Sequence, residues 1–86
     1  NYKLRWDGAT LGRKNDNTIV LPDPTVSAHH AQIYFQKGKF YIKDLKSTNG
    51  ILVNQNRISN ESELHEHDEI QLGNCVGKIL TIRYNE

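Results

Sequence analysis

Residues 31–45 read AQIYFQKGKFYIKDL. Ala31, Ile33 and Phe35 alternate with Gln32, Tyr34 and Gln36, and after Lys37-Gly38 the residues Phe40 and Ile42 share one side of a second run. Successive side chains of an extended chain point to opposite faces, so a period of two marks strands with one face buried and one face wet. The rhythm continues outward. Tyr2, Leu4 and Trp6 alternate with Lys3, Arg5 and Asp7, and Leu80, Ile82 and Tyr84 alternate with Thr81 and Arg83. Turn signals punctuate the runs at Asp7-Gly8, Pro22-Asp23-Pro24, Lys37-Gly38, Asn49-Gly50, Gly73-Asn74 and Gly77. Asp7-Gly8, between LRW and ATLGR, is a hairpin signal because both residues tolerate positive φ. Only NESELHEHDEI (60–70) competes for helix, with Asn60 and Glu63 spaced as in a capping box. It carries no apolar stripe at helical spacing, so it reads as a loop with at most one turn leading into the strand DEIQL (68–72). The expected fold is all-β: a two-sheet antiparallel β-sandwich with binding loops gathered at one end.

The 86 residues make one domain spanning 1–86, near the small end of what folds alone. The first residue is Asn1 rather than methionine, which points to a domain excised from a longer protein with other domains in the same parent chain. A formal net charge of +1 lacks the basic excess of a nucleic-acid or anionic-membrane module. The charge is unevenly spread, +4 over residues 1–53 and −3 over residues 54–86, so the first half suits an anionic ligand. Cys75 is the only cysteine, which excludes an internal disulfide and a cysteine-based zinc cage. It reads as a partly buried structural residue, compatible with a reducing compartment. No run approaches the ~18 apolar residues of a membrane span, and no signal peptide is visible. The expected location is cytoplasmic.

The polar chemistry concentrates at three strand ends: Gly12-Arg13-Lys14, Ser27-Ala28-His29-His30 and Lys46-Ser47-Thr48-Asn49-Gly50. Arg13 offers a planar, permanently charged donor fork that matches phosphate or carboxylate oxygens. Ser27 and Thr48 each bring a hydroxyl donor, and Asn49 brings an amide donor and acceptor suited to the backbone of a bound peptide. Gly12 and Gly50 can take conformations that other residues resist. Gathered at one end of a sandwich, these loops form a small anion cradle. Taken singly, each group also has an ordinary reading as a solvated side chain, a turn or a bend.

Two other chemistries compete. Ser27, His30 and Asp44 supply the residue types of a nucleophilic triad, but no Gly-x-Ser-x-Gly elbow is present and so short a chain leaves little room for a substrate pocket. His65-x-His67, with Glu66 and Asp68, supplies metal-ligand types, against a solvated acidic loop as the simpler account. No enzyme activity, metal or cofactor is expected.

The ordered composite of LGR (11–13), NTIVLPDPTVSAHHAQI (17–33), FYIKDLKSTNGILVN (40–54) and HDEIQLG (67–73) resembles a forkhead-associated (FHA) domain from about Ala9 to Gly73. The resemblance implies a non-catalytic β-sandwich that binds phosphothreonine peptides and mediates phosphorylation-dependent protein–protein interaction. By position it implies Arg13 as principal phosphate ligand, with Ser27 and Thr48 as hydroxyl donors to phosphate oxygens. Asn49 holds the ligand main chain, and Thr25 and His29 face the ligand residues that follow the phosphothreonine. Gly12 and Gly50 shape the loops, and His30 pins the serine loop between strands. The implied partner is a protein phosphorylated by a Ser/Thr kinase.

The chain departs from the family pattern at Ala28. The family often has Arg, Lys or Asn there, whose side chain can also reach the phosphate. Alanine removes a charge-assisted hydrogen bond of a class worth roughly 1.5–3 kcal/mol. His29 or Lys14 are the groups nearby in sequence that can replace it. If neither does, the same fold serves as a phosphate-independent interaction domain, with Arg13 and Thr48 kept as loop architecture or binding a partner's carboxylates.

Overall fold

The computed structural model describes residues 8–78, so the alternating runs around Tyr2–Trp6 and Leu80–Tyr84, and the Asp7 half of the first hairpin signal, lie outside the described residues. The hairpin that opens the sequence reading is the centre of the fold. Strands β3 (Ala31–Gln36) and β4 (Lys39–Asp44) pair antiparallel from Ala31↔Asp44 to Gln36↔Lys39. Lys37 (φ 53°) and Gly38 (φ 79°) close a two-residue loop. Positive φ at both central positions matches the loop's twist to the right-handed twist of the strands. The register places Phe35 opposite Phe40 on the inner face, with ring centroids 5.0 Å apart at 60°. Tyr34 and Tyr41 stack on the outer face at 5.4 Å and 21°. The Tyr34 hydroxyl donates to the Glu61 carboxylate, which pushes the phenol up to about 12.

Around this hairpin the chain builds two sheets. Strands β1 (Ala9–Gly12), β2 (Ile19–Val20) and β7 (Glu61–Leu64) complete the order β2-β1-β3-β4-β7. Strands β5 (Ile51–Val53), β6 (Asn56–Arg57), β8 (Glu69–Leu72) and β9 (Cys75–Lys78) form the order β6-β5-β8-β9. All pairings are antiparallel except the short β1–β2 ladder, which is parallel. The inward residues of both sheets meet in one core that includes Ile33, Phe40 and Ile42 from the first and Ile51, Ile70 and Leu72 from the second. Cys75 packs against this core, and burial pushes its thiol up.

Two local expectations change. Residues 61–64 form a strand rather than a loop: Leu64 sits opposite Phe40 and Ser62 opposite Ile42. The strand ends the sheet order and inserts one large apolar residue into the core, so its sequence shows too little alternation to announce it. Glu63, whose spacing from Asn60 resembles a capping box, lies opposite Tyr41 and beside Lys39 (3.8 Å). Gly77 is no turn either; it lies within β9, opposite Ile70.

The antiparallel register brings the polar segments together. Leu11 lies opposite Ala31, Ala31 opposite Asp44, and Ile51 opposite Leu72. The segments that leave these strands at 13–30, 45–50 and 73–74 therefore gather at one end of the sandwich, as expected.

The β5–β6 turn carries a local conflict. Asn54 (φ 52°) and Gln55 (φ 70°) both occupy the left-handed region, where Gln55 has no glycine-like freedom. Gln55→Gly is expected to raise the urea unfolding free energy by about 0.5–1 kcal/mol without changing the slope of the transition. An unchanged or lowered midpoint would show that the turn is not strained.

Candidate functional site

The site starts from a buried histidine. His30 is fully buried (0% exposed) at the mouth of β3. Its Nδ1 accepts the Ser27 backbone N–H at 3.1 Å, so the ring proton resides on Nε2, which donates to the Gly50 carbonyl at 2.7 Å. Its own backbone closes two further links: His30 N–H donates to Leu11 O at 2.9 Å, and Leu45 N–H donates to His30 O at 3.0 Å. One residue thus ties β1, the serine loop and the loop that carries Thr48-Asn49.

Each loop is also shaped from within. In the serine loop the Asp23 carboxylate accepts both the Thr25 hydroxyl (2.5 Å) and the Thr25 N–H (2.8 Å), which holds its pKa below the usual carboxylate value. The same Thr25 hydroxyl accepts the Asn74 N–H at 2.8 Å, so its proton and one lone pair are engaged inside the fold. In the third loop the Ser47 N–H donates to Asp44 Oδ1 (3.0 Å), and Ser47 Oγ accepts the Gly50 N–H (2.9 Å). In the first loop Asn17, buried to 7% exposure, donates from Nδ2 to Lys14 O and Ala28 O. Asp23, Asp44, Ser47 and Asn17 are site-shaping residues that the sequence reading did not assign. Only Asp23, beside two prolines, carries a local turn signal.

Gly12 is required by space and Gly50 by its backbone conformation. A Cβ on Gly12 would overlap the Ala28 carbonyl oxygen and lie 2.7 Å from Asn17 Nδ2, so glycine lets the serine loop cross the end of β1 at backbone contact. Gly50 has φ +76°, and a Cβ there would lie 2.7 Å from the Arg57 guanidinium.

Between the loops opens a cleft of about 310 Å³ lined by Arg13, Thr25, Ser27, Ala28, Thr48 and Asn49, together with Pro24 and Val26. Arg13 Nε donates to the Val26 carbonyl at 2.9 Å, which orients the guanidinium and leaves its terminal nitrogens without a partner among the described residues. Ser27 Oγ accepts the Thr48 N–H at 3.1 Å, so its proton points elsewhere. Asn49 Nδ2 donates to Thr25 O at 2.8 Å and joins the two walls, leaving its Oδ1 to accept. The lining holds one permanent cation and no carboxylate.

Of the residues singled out in the sequence, Arg13, Ser27, Thr48, Asn49 and Thr25 thus converge on one cleft, with Gly12, Gly50 and His30 behind it. His29 does not line it: its Nε2 lies 2.9 Å from the Asp16 carboxylate. Lys14 is also absent from the lining, and its backbone N–H is bound to Ala28 O. The triad types do not form a relay. His30 takes the backbone rather than the hydroxyl of Ser27, and Asp44 faces Ser47. His65 faces Glu63 (3.1 Å) and Asp68 (3.7 Å), and among the described residues no group of three or more His, Cys, Asp or Glu side chains is placed to hold a metal.

A cleft lined by an oriented arginine fork, hydroxyl side chains and an amide at the loop end of a β-sandwich can be placed by comparison. The model of the FHA domain matches residues 9–73. The chain belongs to the FHA-domain family. FHA domains are interaction modules that read phosphorylated motifs. This one is 38% identical over 71 residues to the transcriptional regulatory protein EmbR of Mycobacterium tuberculosis, covering 83% of the chain and 18% of EmbR. It is 39% identical over 72 residues to the oxoglutarate dehydrogenase inhibitor of Corynebacterium glutamicum, covering 84% of the chain and 50% of that protein. The chain therefore spans half or less of these relatives. Among solved structures it superposes on an FHA domain studied for phosphothreonine-dependent interactions, with a TM-score of 0.85 at 33% identity, covering 95% of this chain and 84% of that one. EmbR bound to a low-affinity phosphopeptide gives a TM-score of 0.81 at 31% identity, over 92% of this chain and 21% of that one.

Two outcomes test this geometry. His30→Phe keeps a ring but leaves the Ser27 N–H and Gly50 carbonyl unpaired, and should lower unfolding free energy by about 2–4 kcal/mol in denaturant titration. A change below about 0.5 kcal/mol would mean that the loops close without the imidazole. The Asp23 carboxyl, followed by NMR, should titrate below the ordinary aspartate range and move up in Thr25→Val. Because the folded pKa is depressed, this contribution to stability is present above the unfolded pKa and lost as pH falls through the folded one.

Proposed function

We propose that this FHA domain is a phosphothreonine-peptide reader in which Arg13, Ser27 and Thr48 bind the phosphate and Asn49 binds the ligand main chain. The observation that carries the proposal is the cleft itself: Arg13 is steered by Val26 O, Ser27 has its lone pair engaged by the Thr48 N–H and its proton free, and no carboxylate lines the wall. Such donors are held in place before the anion arrives, so little ordering accompanies binding. Charge-assisted hydrogen bonds then supply the affinity. Thr25 presents its aliphatic side to the ligand, because its hydroxyl is bound to Asp23 and Asn74. His29 contributes to ligand residues only by leaving Asp16.

The domain acts without catalysis, as a module of a longer protein in the cytoplasm, a reading supported by relatives of which it spans half or less, and its partner is a protein phosphorylated on threonine. No helix among the described residues is long and apolar enough to cross a membrane. Preference for threonine over serine rests on the methyl group, which restricts the side-chain rotamer before binding.

Ala28 keeps the alternative of phosphate-independent binding open to test. A phosphothreonine peptide pool should bind, and the unphosphorylated pool should not, by isothermal titration or fluorescence anisotropy. Arg13→Ala should weaken binding about ten- to hundredfold, the loss of one charge-assisted contact. Ser27→Ala and Thr48→Val should each weaken it about tenfold. Binding that survives removal of the phosphate or of Arg13 would overturn the cradle and favour a surface partner.

A further inference from the structure

The cleft lining contains a single permanent cation, yet a second guanidinium is held close behind one wall. Arg57 lies on β6, opposite Leu52, with both side chains on the outer face of the second sheet. Period two along the strand puts Gly50 on that same face, and the missing side chain leaves a space that the Arg57 guanidinium fills. An ideal Cβ on Gly50 would lie 2.7 Å from Nη2, 2.8 Å from Cζ and 3.0 Å from Nε. The guanidinium therefore lies flat against the Gly50 backbone. Asn49, whose side chain lines the cleft, is the next residue, about 3.8 Å away between α-carbons.

Arg57 is exposed and has neither a hydrogen-bond nor an ion-pair partner among the described residues. Its guanidinium lies beside Gly50, and among the described residues no carboxylate holds it. A charged fork held in this way is ready for an external anion, since its planar group is already oriented. The rim beyond Ala28 has the opposite character: there His29 holds the Asp16 carboxylate at 2.9 Å. The cleft thus sits between one rim that carries an acid and another that carries an arginine with no partner among the described residues.

Resting on the phosphothreonine-reader assignment, we propose that Arg57 is a specificity residue, recognising a second anionic side chain of the same ligand where it leaves the cleft over Thr48 and Asn49. Ala28 strengthens the argument, because the cleft itself offers no further side-chain charge for flanking residues. The shared chemistry is an oxyanion, either a carboxylate of Asp or Glu or a second phosphate.

The test uses phosphothreonine peptides with alanine at all flanking positions, and sets in which one position carries aspartate or phosphoserine. Affinities are measured with the wild-type domain, Arg57→Gln and Arg57→Lys. In the wild type, aspartate at one or two neighbouring positions on one side should tighten binding about three- to fivefold, the range of a solvent-exposed ion pair. The gain should shrink with added salt. In Arg57→Gln the ratio of acidic to alanine-flanked affinity should fall to about one, and Arg57→Lys should keep part of it. Because the readout is a ratio within each variant, a general loss of folding does not mimic the result. Larger gains from phosphoserine than from aspartate at the same position would assign the pocket to a second phosphate, and equal gains to a carboxylate. Phosphate-dependent binding indifferent to flanking charge, or a preference that survives Arg57→Gln, would overturn the role of Arg57 alone. Failure of every phosphothreonine peptide to bind the wild type would overturn the reader assignment and this proposal with it.

Discussion

The buried imidazole of His30 is the constraint on which the loop end depends. A neutral ring with one acceptor and one donor is held between the Ser27 N–H and the Gly50 carbonyl, two groups that the loops cannot satisfy themselves. The bond to Gly50 is buried and that to Ser27 part-buried, and an unpaired buried backbone group costs about 1–3 kcal/mol. The ring therefore sets the distance between the serine loop and the loop bearing Thr48. That distance in turn allows the Thr48 N–H to reach Ser27 Oγ and Asn49 to reach Thr25 O. Lysine or arginine could donate but not accept here. A hydroxyl is too short to span both partners.

A division of labour within single side chains follows. Arg13 spends Nε on Val26 and keeps its fork; Ser27 uses its oxygen to accept and keeps its proton; Asn49 donates across the walls and keeps its carbonyl. Each group is positioned by one bond and keeps further hydrogen-bonding capacity beside the cleft. Asp23 and Asp44 serve the architecture, their carboxylates hydrogen-bonded by Thr25 and by the Ser47 N–H, and neither lines the cleft. A sandwich this small can build such a site because the loops need only a few core anchors. Val26 supplies the chief one, buried between the sheets directly below the serine loop.

Much of this was legible in the residues alone, for definite reasons. The β3–β4 hairpin announced itself because both strands carry several large inward residues in strict alternation around Lys37-Gly38. The cleft residues Arg13, Ser27, Thr48 and Asn49 stood out because an ordered composite of glycine, arginine, hydroxyl and amide groups has few other uses. Strand β7 did not, since an edge strand with one large inward residue leaves only a faint period. Gly77 misled for the complementary reason: glycine marks a turn by conformation, but here it sits in a strand facing Ile70.

What the amino-acid sequence determined by itself was the alternation of strands and turns, and so an all-β sandwich, together with the chemical types available at the strand ends. These are local properties, written in spacings of two to four residues. Only the tertiary structure decided which of those groups face one cleft and which are engaged elsewhere. His29 and Ser27 are two residues apart, yet one is paired with Asp16 and the other is joined to Thr48. Arg57 lies far along the chain from Arg13, yet the absence of a side chain at Gly50 lets it rest behind the cleft wall. Direction and partnership of a polar side chain depend on what the sheet register carries beside it, and no short-range pattern encodes that.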